Sequence, residues 1–512
     1  MSGFNKKGSI PAVNLAPASV RKIAGATPDA INYAGGPAFA QTPKFQLVFA
    51  MLTSFLDNQY YRTRGETVTN VQALIKQIND PLFVAKAAVF ARTQFAMRSI
   101  SHLVAAEIAK NVKGEAWTKH FFDKVVYRVD DASEILAAYL GFYGKPIPNS
   151  LKKGLSLALN KFNAYQLAKY KGEGKEIALV DLFNLIHPKP LEAQAEAYKD
   201  LMEGKLASTE TWEAKLSAVG KLTDDAAQKA GLKAVAWYEL VTSGKIGYFA
   251  LLRNLRNILE AGDPETIDAA CKMLVNEKLI KNSLVLPFRY MTAQRELKQL
   301  HDVDHVRKVM NAVNDAVTIA LNNVPVFEGR TLVALDRSGS MGDAEGVKSP
   351  AAIGSLFASV IAKTNDADII LFDDSAEYLN INLADSVVGI CENIRRKMTY
   401  GGTNFNLVFD HAKKKYDRII ILSDMQAWIG FRTPQDAYAR YCKRLEANPK
   451  IYTFDLQGYG TMQFPQEHVY SLAGFSEKTL DIMKSLETDP TALITKINEI
   501  SFSHASEVLE ED

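Results

Sequence analysis

Asp336, Ser338 and Ser340 alternate along the chain directly behind a short β-rich run, Thr331 to Leu335. In extended backbone a period of two places all three oxygen-bearing side chains on one side. Gly401-Gly402-Thr403 adds a hydroxyl on a Gly-rich turn, and Ser423-Asp424 adds a carboxylate behind a second β-rich run, Arg418 to Leu422. Asp336, Ser338, Ser340, Thr403 and Asp424 are all hard oxygen donors, with no imidazole or thiolate among them. That set disfavours zinc and copper and suits Mg²⁺ or Mn²⁺, with water filling the rest of an octahedral shell. Two carboxylates among neutral hydroxyls leave the ion electron-poor, so it would seek one more anionic oxygen from a partner carboxylate or a phosphate.

The elements that must position these residues are short strands alternating with helices. Thr331 to Leu335, Ile369 to Phe372, Arg418 to Leu422 and Ile451 to Phe454 read as strands; Ala351 to Lys363, Asn406 to Lys415 and Gln435 to Asn448 read as the helices between them. This alternation predicts a parallel sheet covered on both faces, a doubly wound α/β domain over residues 326–512, with ligands at the carboxyl ends of the strands. In order and spacing the five residues resemble the metal-ion-dependent adhesion site of the von Willebrand A family. Two nearby patterns fail. Gly346-Val347-Lys348-Ser349 has a valine between Gly and Lys and no strand immediately before it, unlike a phosphate loop, and Ser338 stands where an aspartyl-nucleophile phosphatase needs a second Asp.

At 512 residues the chain is long enough for at least two cores. With 47% apolar and 23% charged residues it has the composition of a globular protein, not a disordered one. Residues 1–42, rich in Gly, Ala, Pro and Asn, read as an N-terminal arm. Residues 43–325 carry helical spacing throughout, with Phe45, Leu47, Val48, Met51, Leu52 and Phe55 recurring at steps of three and four. Pro81, Pro146, Pro148, Pro188, Pro190, Pro264 and Pro287 divide this stretch into ordinary helix lengths, and about 280 residues of short helices predict a HEAT-like repeat stack. Cys271, Cys391 and Cys442 are too scattered for a disulfide framework or zinc cluster, and no run of about 18 apolar residues appears, so a reducing, cytoplasmic location without membrane insertion is expected. Charge is uneven. Residues 1–330 hold 42 Lys and Arg against 32 Asp and Glu, and the remainder holds 18 against 26. A basic half suits a polyanion, and an acidic half suits a metal or a basic partner.

Several stretches of the helical half, taken with the adhesion-site motif, resemble the TROVE family, which comprises Ro ribonucleoproteins with bacterial and phage members. They are Tyr60-Tyr61-Arg62, Ala91-Arg92, Met97-Arg98-Ser99, Tyr170-Lys171, Asp181-Leu182, His187-Pro188-Lys189-Pro190, Thr211-Trp212-Glu213, Leu252-Arg253-Asn254-Leu255 and Pro287-Phe288. The resemblance runs from about residue 44 to the end. It implies a monomeric ring of helical repeats closed by the A domain, with single-stranded 3′ ends of misfolded RNA in the hole and Y-like RNA on the outer face. One departure is plain: Glu173 stands where the family has an arginine after Tyr-Lys.

The residues allow a bottom-up account of an RNA surface. Tyr60, Tyr61, Arg62 and Arg64 combine stackable rings with guanidinium groups on a loop, which suits unpaired bases and phosphates, although the tyrosines would equally anchor the loop in a core. Arg98 and His102 lie one turn apart, and Arg92 is either an RNA contact or a structural ion pair with an acid such as Glu107. Lys169, Lys171, Lys175, His187 and Lys189 bring cations to the ends of two helices; His187 is otherwise a satisfied histidine before a Pro turn. Arg253 and Arg256 either line the hole or cap helix carbonyls. The reading that follows is a non-catalytic RNA-binding protein acting in RNA quality control or presenting RNA to an exoribonuclease. The rivals are a metal-dependent protein-adhesion scaffold and an Mg²⁺-dependent nuclease or phosphatase.

Overall fold

The period of the sequence changes after Pro325, and the structure changes with it. The structure, a computed structural model, describes residues 28–502 apart from 173, 207–215, 217, 220–224, 245, 262, 284, 286–287, 301–303, 321–325, 345–348, 383, 428–432, 465–468, 475–477, 487–488 and 490. Most of the expected arm, Glu173, Thr211-Trp212-Glu213, Pro287 and the rejected Gly346-Val347-Lys348 loop lie outside those residues.

The described residues fall into two compact units, one drawn from Met1–Asn79 and Leu321–Ile494, the other from Asp80–Ala320 and Thr495–Asp512. This division differs from the boundaries expected at residues 42 and 325. Residues 43–79 carry helical spacing, but their apolar face is spent on the sheet unit. In helix Pro43–Thr53 every residue from Leu47 to Thr53 is buried, and the helix passes so close to the loop at Gly458 that a Cβ there would lie 2.4 Å from Thr53 Oγ1. Gly458 also has φ +67°, so glycine is required on both counts.

In the sheet unit the strands are β1 (Ala30–Ile31), β2 (Pro37–Ala40), β3 (Thr331–Asp336), β4 (Asp368–Phe372), β5 (Ala376–Leu379), β6 (Arg418–Ser423), β7 (Lys450–Asp455), β8 (Thr461–Met462) and β9 (Val469–Ala473). The main sheet runs β5-β4-β3-β6-β7-β9, parallel except for the antiparallel edge strand β5. The four strands expected from sequence form its centre; β5 and β9 are additions at its edges. Residues β1 and β2, from the expected arm, pair antiparallel with β8 in a small second sheet.

The centre is apolar on both faces, as parallel strands require. On one face Leu332, Ala334, Ile370, Phe372, Ile419 and Ile421 pack on Phe405, Phe409, Tyr416 and Tyr441. On the other, Gly354 lets helix Pro350–Asn365 approach so closely that a Cβ there would meet Leu335 Cδ1 at 2.7 Å. All six residues of β3 are buried, so its polar end, Asp336, is delivered to the carboxyl edge of the sheet.

The other unit is helical, as expected. Prolines punctuate it: Asp80 and Asp263 cap helices Pro81–Gln94 and Pro264–Leu274, whose first residue is the proline. His187, at φ +48°, closes helix Leu179–Ile186 before Pro188. Gly154 marks a tight crossing of helices Asn149–Leu159 and Thr118–Val125, since a Cβ there would lie 2.5 Å from Phe122 Cβ. Among the described residues no helix is long and apolar enough to cross a membrane.

Candidate functional site

Three loops meet at the carboxyl edge of the main sheet, held by backbone bonds that the sequence disguises as turns. Gly339 N–H donates to the Gly401 carbonyl at 3.0 Å, and Tyr400 N–H donates to the Arg337 carbonyl at 3.0 Å, tying the first motif loop to the second. Asn404 N–H donates to the Asp373 carbonyl at 2.9 Å, fixing the other side of Thr403. Gly401 cannot carry a side chain: a Cβ would lie 2.8 Å from Asp373 Oδ2. The third loop joins through Ser423, whose hydroxyl donates to Asp336 Oδ2 at 2.5 Å. The structure thus brings all three motif loops carrying the five sequence-derived ligands to one edge, and Asp336, Ser338, Ser340, Thr403 and Asp424 are all buried.

Within the cluster Ser338 N–H donates to Asp336 Oδ1 at 2.8 Å, the Ser338 and Ser340 hydroxyls are 3.3 Å apart, and Gln426 N–H donates to Asp424 Oδ1 at 3.2 Å. Asp424 Oδ2 is buried with no hydrogen-bond partner. Burial, and then the neighbouring Asp336 charge, pushes the Asp424 carboxyl well above the usual carboxylate range; burial does the same to Asp336. A buried, mutually repelling pair with an unsatisfied oxygen is a donor set that a hard divalent cation fits. Among the described residues no group of three or more His, Cys, Asp and Glu is placed to hold a metal, so a cation here must draw on the hydroxyls as well.

Two buried carboxylates at neighbouring strand ends were not anticipated. Asp373 accepts from Ser375 and Thr399 and faces Arg337 Nε at 3.3 Å. Arg337 itself is buried and donates to Glu377, Ser375 and the Lys397 carbonyl, which makes it a clamp for the loops. Asp455 accepts from the Gln457 and Gly458 N–H groups, while its Oδ2 has no partner. Burial lifts its pKa to about 6.

The cations assigned to RNA separate into groups. Arg92 and His102 are corrected outright: both are buried, and both are engaged by Asp131. Arg92 donates through Nε and Nη2 to Asp131 Oδ2 at 3.1 and 2.8 Å, and Arg98 donates to Asp131 Oδ1 at 3.0 and 2.9 Å. His102 Nε2 lies 3.0 Å from the same oxygen. Burial alone would raise the Asp131 pKa, but the His102 hydrogen bond and the Arg92 and Arg98 charges hold it far below the usual range. The acid is thus Asp131, not Glu107, whose Oε1 accepts from the Tyr143 hydroxyl. Arg62 is corrected too. It is 2% exposed, with Nε on Gln59 Oε1 and Nη2 on the Gly458 carbonyl.

Lys175 lies 3.2 Å from Glu134 and 3.7 Å from Asp130; Lys171 donates to the Leu206 carbonyl; Arg256 pairs with Glu260 at 2.9 Å. Lys169 stands over the Tyr170 ring at 5.8 Å. Tyr60 is 64% exposed, and Arg64 is exposed at the first turn of helix Arg64–Ile78. His187 and Lys189 are exposed; Lys189 lines a cleft of about 320 Å³ with Lys119, His120, Lys153 and Asn160. Arg253 has company the sequence did not reveal: its guanidinium lies 5.8 Å from the Phe249 ring, with Arg289 on the same ring at 5.5 Å. Phe249 is 38% exposed. Its spacing of four from Arg253 was the available signal; Arg289 arrives through tertiary packing.

A helical array with a doubly wound domain that carries an oxygen cluster at its strand ends defines a repeat protein joined to a von Willebrand A domain. Family models agree: one described as the TROVE domain matches residues 202–337, and one described as the Ro60 vWA domain matches residues 330–487. The chain thus carries a stretch matching the TROVE domain, followed by a von Willebrand A domain of the Ro60 type. It is 27% identical over 220 residues to the RNA-binding protein RO60 of Deinococcus radiodurans, a stretch covering 39% of this chain and 41% of that protein. It is 32% identical over 125 residues to telomerase protein component 1 of Mus musculus, covering 24% of this chain and 4% of that protein. The crystal structure of the Deinococcus radiodurans RO (RSR) protein superposes with a TM-score of 0.56 at 18% identity, over 90% of this chain and all of that one, a likeness of fold.

Proposed function

We propose that the chain binds RNA and does not turn it over. The observation that carries this reading is the exposed Phe249 ring flanked by the Arg253 and Arg289 guanidinium groups on the helical unit. An exposed aromatic face takes any unpaired base, and paired guanidinium groups take the phosphates on either side. Burial, and then the nearby Arg253 charge, depresses the Arg289 pKa, and a phosphate placed beside the ring would be attracted to both cations. Kinship with a protein named for RNA binding supports the same conclusion.

The ligand class we infer is single-stranded 3′ ends of misfolded or structured non-coding RNA, with Y-like RNA as a second ligand near His187 and Lys189. RNA quality control, or delivery of RNA to an exoribonuclease, is the cellular consequence. The oxygen cluster is read as an Mg²⁺ or Mn²⁺ site that serves architecture, not hydrolysis.

Fluorescence anisotropy with a labelled single-stranded RNA and its duplex tests the reading. The wild type is expected to prefer the single strand, and Phe249→Ala combined with Arg253→Ala to weaken it by roughly 1–3 kcal/mol per lost stacking contact. Unchanged affinity in the double variant would place the RNA elsewhere. Mg²⁺-dependent cleavage of the RNA that disappears in Asp424→Asn would replace binding with a nuclease.

A further inference from the structure

Phe502, the last described residue, is an anchor within the helical unit, to which residues Thr495–Asp512 belong. It is buried, stacked on Trp117 at a ring-centroid separation of 5.7 Å and edge-on to Phe121 at 5.9 Å. Two lysines hold the stretch before it: Lys86 Nζ donates to the Asn498 carbonyl at 2.6 Å and Lys124 Nζ to the Ser501 carbonyl at 2.5 Å. Phe502 lines a cleft of about 470 Å³ with Lys119 and His120, and those two residues also line the cleft of about 320 Å³ that contains Lys153 and Lys189. The two clefts therefore share a wall.

The second cleft is basic, and its walls are held in place. Lys119, Lys153 and Lys189 are exposed, and no carboxylate is among the described residues that line it. The close crossing at Gly154 fixes helices Thr118–Val125 and Asn149–Leu159 against each other. Lys189 is pinned through its backbone, its N–H donating to Ser156 Oγ at 3.0 Å and its carbonyl accepting from Asn160 Nδ2 at 2.9 Å. Three cations on a fixed frame attract a polyanion.

The sequence after Phe502 supplies one. Residues 503–512 carry four carboxylates, Glu507, Glu510, Glu511 and Asp512, and no lysine or arginine follows Lys496. At roughly 3.3 Å per extended residue, Glu507 can lie up to about 17 Å from the anchor and Asp512 up to about 33 Å, and the basic cleft begins at the shared wall. One exposed ion pair is weak. A tether this short, however, holds the acids at a local concentration on the order of millimolar, which turns several weak contacts into an occupied site.

We propose that the acidic stretch 507–512 is the occupant of the cleft formed by Lys119, Lys153 and Lys189, an internal polyanion that RNA must displace to reach these lysines. The competition with RNA rests on the reading of the chain as RNA-binding; the seating of the stretch does not.

Two measurements on the full chain test the proposal, with circular dichroism establishing that each variant is folded. Carbodiimide joins a carboxylate to an ammonium group in contact with it, and mass spectrometry of the digest locates the bond. In the free protein the peptide bearing residues 507–512 is expected on Lys119, Lys153 or Lys189 in excess over exposed lysines such as Lys233 and Lys278. That excess should vanish near 1 M salt, where the Debye length falls to about 3 Å. The second measurement is anisotropy with a labelled RNA hairpin bearing an unpaired 3′ extension. The combined variant Glu507→Gln, Glu510→Gln, Glu511→Gln, Asp512→Asn is expected to bind it about 3- to 10-fold more tightly at low salt. In a background of Lys119→Gln, Lys153→Gln and Lys189→Gln the same four changes should have no effect. Crosslinks no more frequent at the three cleft lysines than at Lys233 and Lys278, or crosslinks that join two isotopically distinct copies, would overturn the proposal. Equal tightening in the Lys→Gln background would overturn the competition, since net charge alone would then account for it; crosslinking with RNA affinity unmoved would do the same and leave the seating intact. Absence of RNA binding by every variant would refute the RNA-binding reading but not the seating, which crosslinking decides by itself.

Discussion

Arg92→Gln separates a structural arginine from an RNA contact. Arg92 is 3% exposed and its two bonds, 2.8 and 3.1 Å, both end on Asp131 Oδ2, which also accepts from the Tyr127 and Arg128 N–H groups. Removing one partner of a buried pair costs about 3–5 kcal/mol, because the other charge is left uncompensated. Arg98, His102 and the two backbone donors remain on Asp131, which places the loss at the lower end, about 3 kcal/mol. In a unit of this size each kcal/mol lowers the midpoint by about 2–4 °C, so a fall of about 6–12 °C is expected in calorimetry. At a temperature where the variant is fully folded, its affinity for single-stranded RNA should stay within about twofold of the wild type, since the guanidinium never meets solvent. A midpoint lowered by less than about 2 °C, or a tenfold loss of RNA affinity without loss of stability, would refute the argument.

Other outcomes follow from the same geometry. Burial raises the Asp336 and Asp424 pKa values, so protons compete with the cation: Mn²⁺ affinity should climb as pH rises above the ordinary carboxylate pKa of about 4, and titration calorimetry at several pH values should register proton release. The same shifts destabilise the cation-free protein as pH rises over that window, because the unfolded chain gives up these protons first; thermal midpoints without Mn²⁺ should fall there and recover when it is added. RNA affinity should drop steeply with salt, by about 0.7 in log K per phosphate contact for each log unit, and Arg253→Ala should flatten that slope by about one contact. Gly154→Ala forces a methyl against Phe122 Cβ and should cost about 1–3 kcal/mol in denaturant unfolding.

What was legible in the sequence is what is local. Asp336 ends one strand and Asp424 directly follows another, both strands announcing themselves by their own β-branched residues, and a parallel sheet brings such ends to one edge. Helix boundaries at Pro81 and Pro264 were legible for the same reason, because proline acts on its own backbone. Side chains whose partners lie far along the chain were not. The partner of Arg92 sits 39 residues away, where the first turn of a helix buries an aspartate, and a nearer glutamate looked equally suitable. Tyr61 and Arg62 meet Tyr459 and Gly458 across nearly 400 residues. A tyrosine-arginine loop has the same composition whether it faces a nucleic acid or its own domain, and only packing decides between them.

The pairing of residues near position 59 with residues near 457, a separation of 398 in the bond between Gln59 and Gln457, also sets an order of events during synthesis. At roughly 5–20 residues per second the ribosome needs about 20–80 s to deliver the second partner after the first. Throughout that interval the apolar side of helix Pro43–Thr53 has emerged without the sheet that covers it. The intervening helical repeats can collapse as they appear, whereas the opening segment must wait. That stretch of a nascent chain is therefore the one most open to chaperone capture, and relief comes only when the loop at Gly458 and strand β9 leave the exit tunnel.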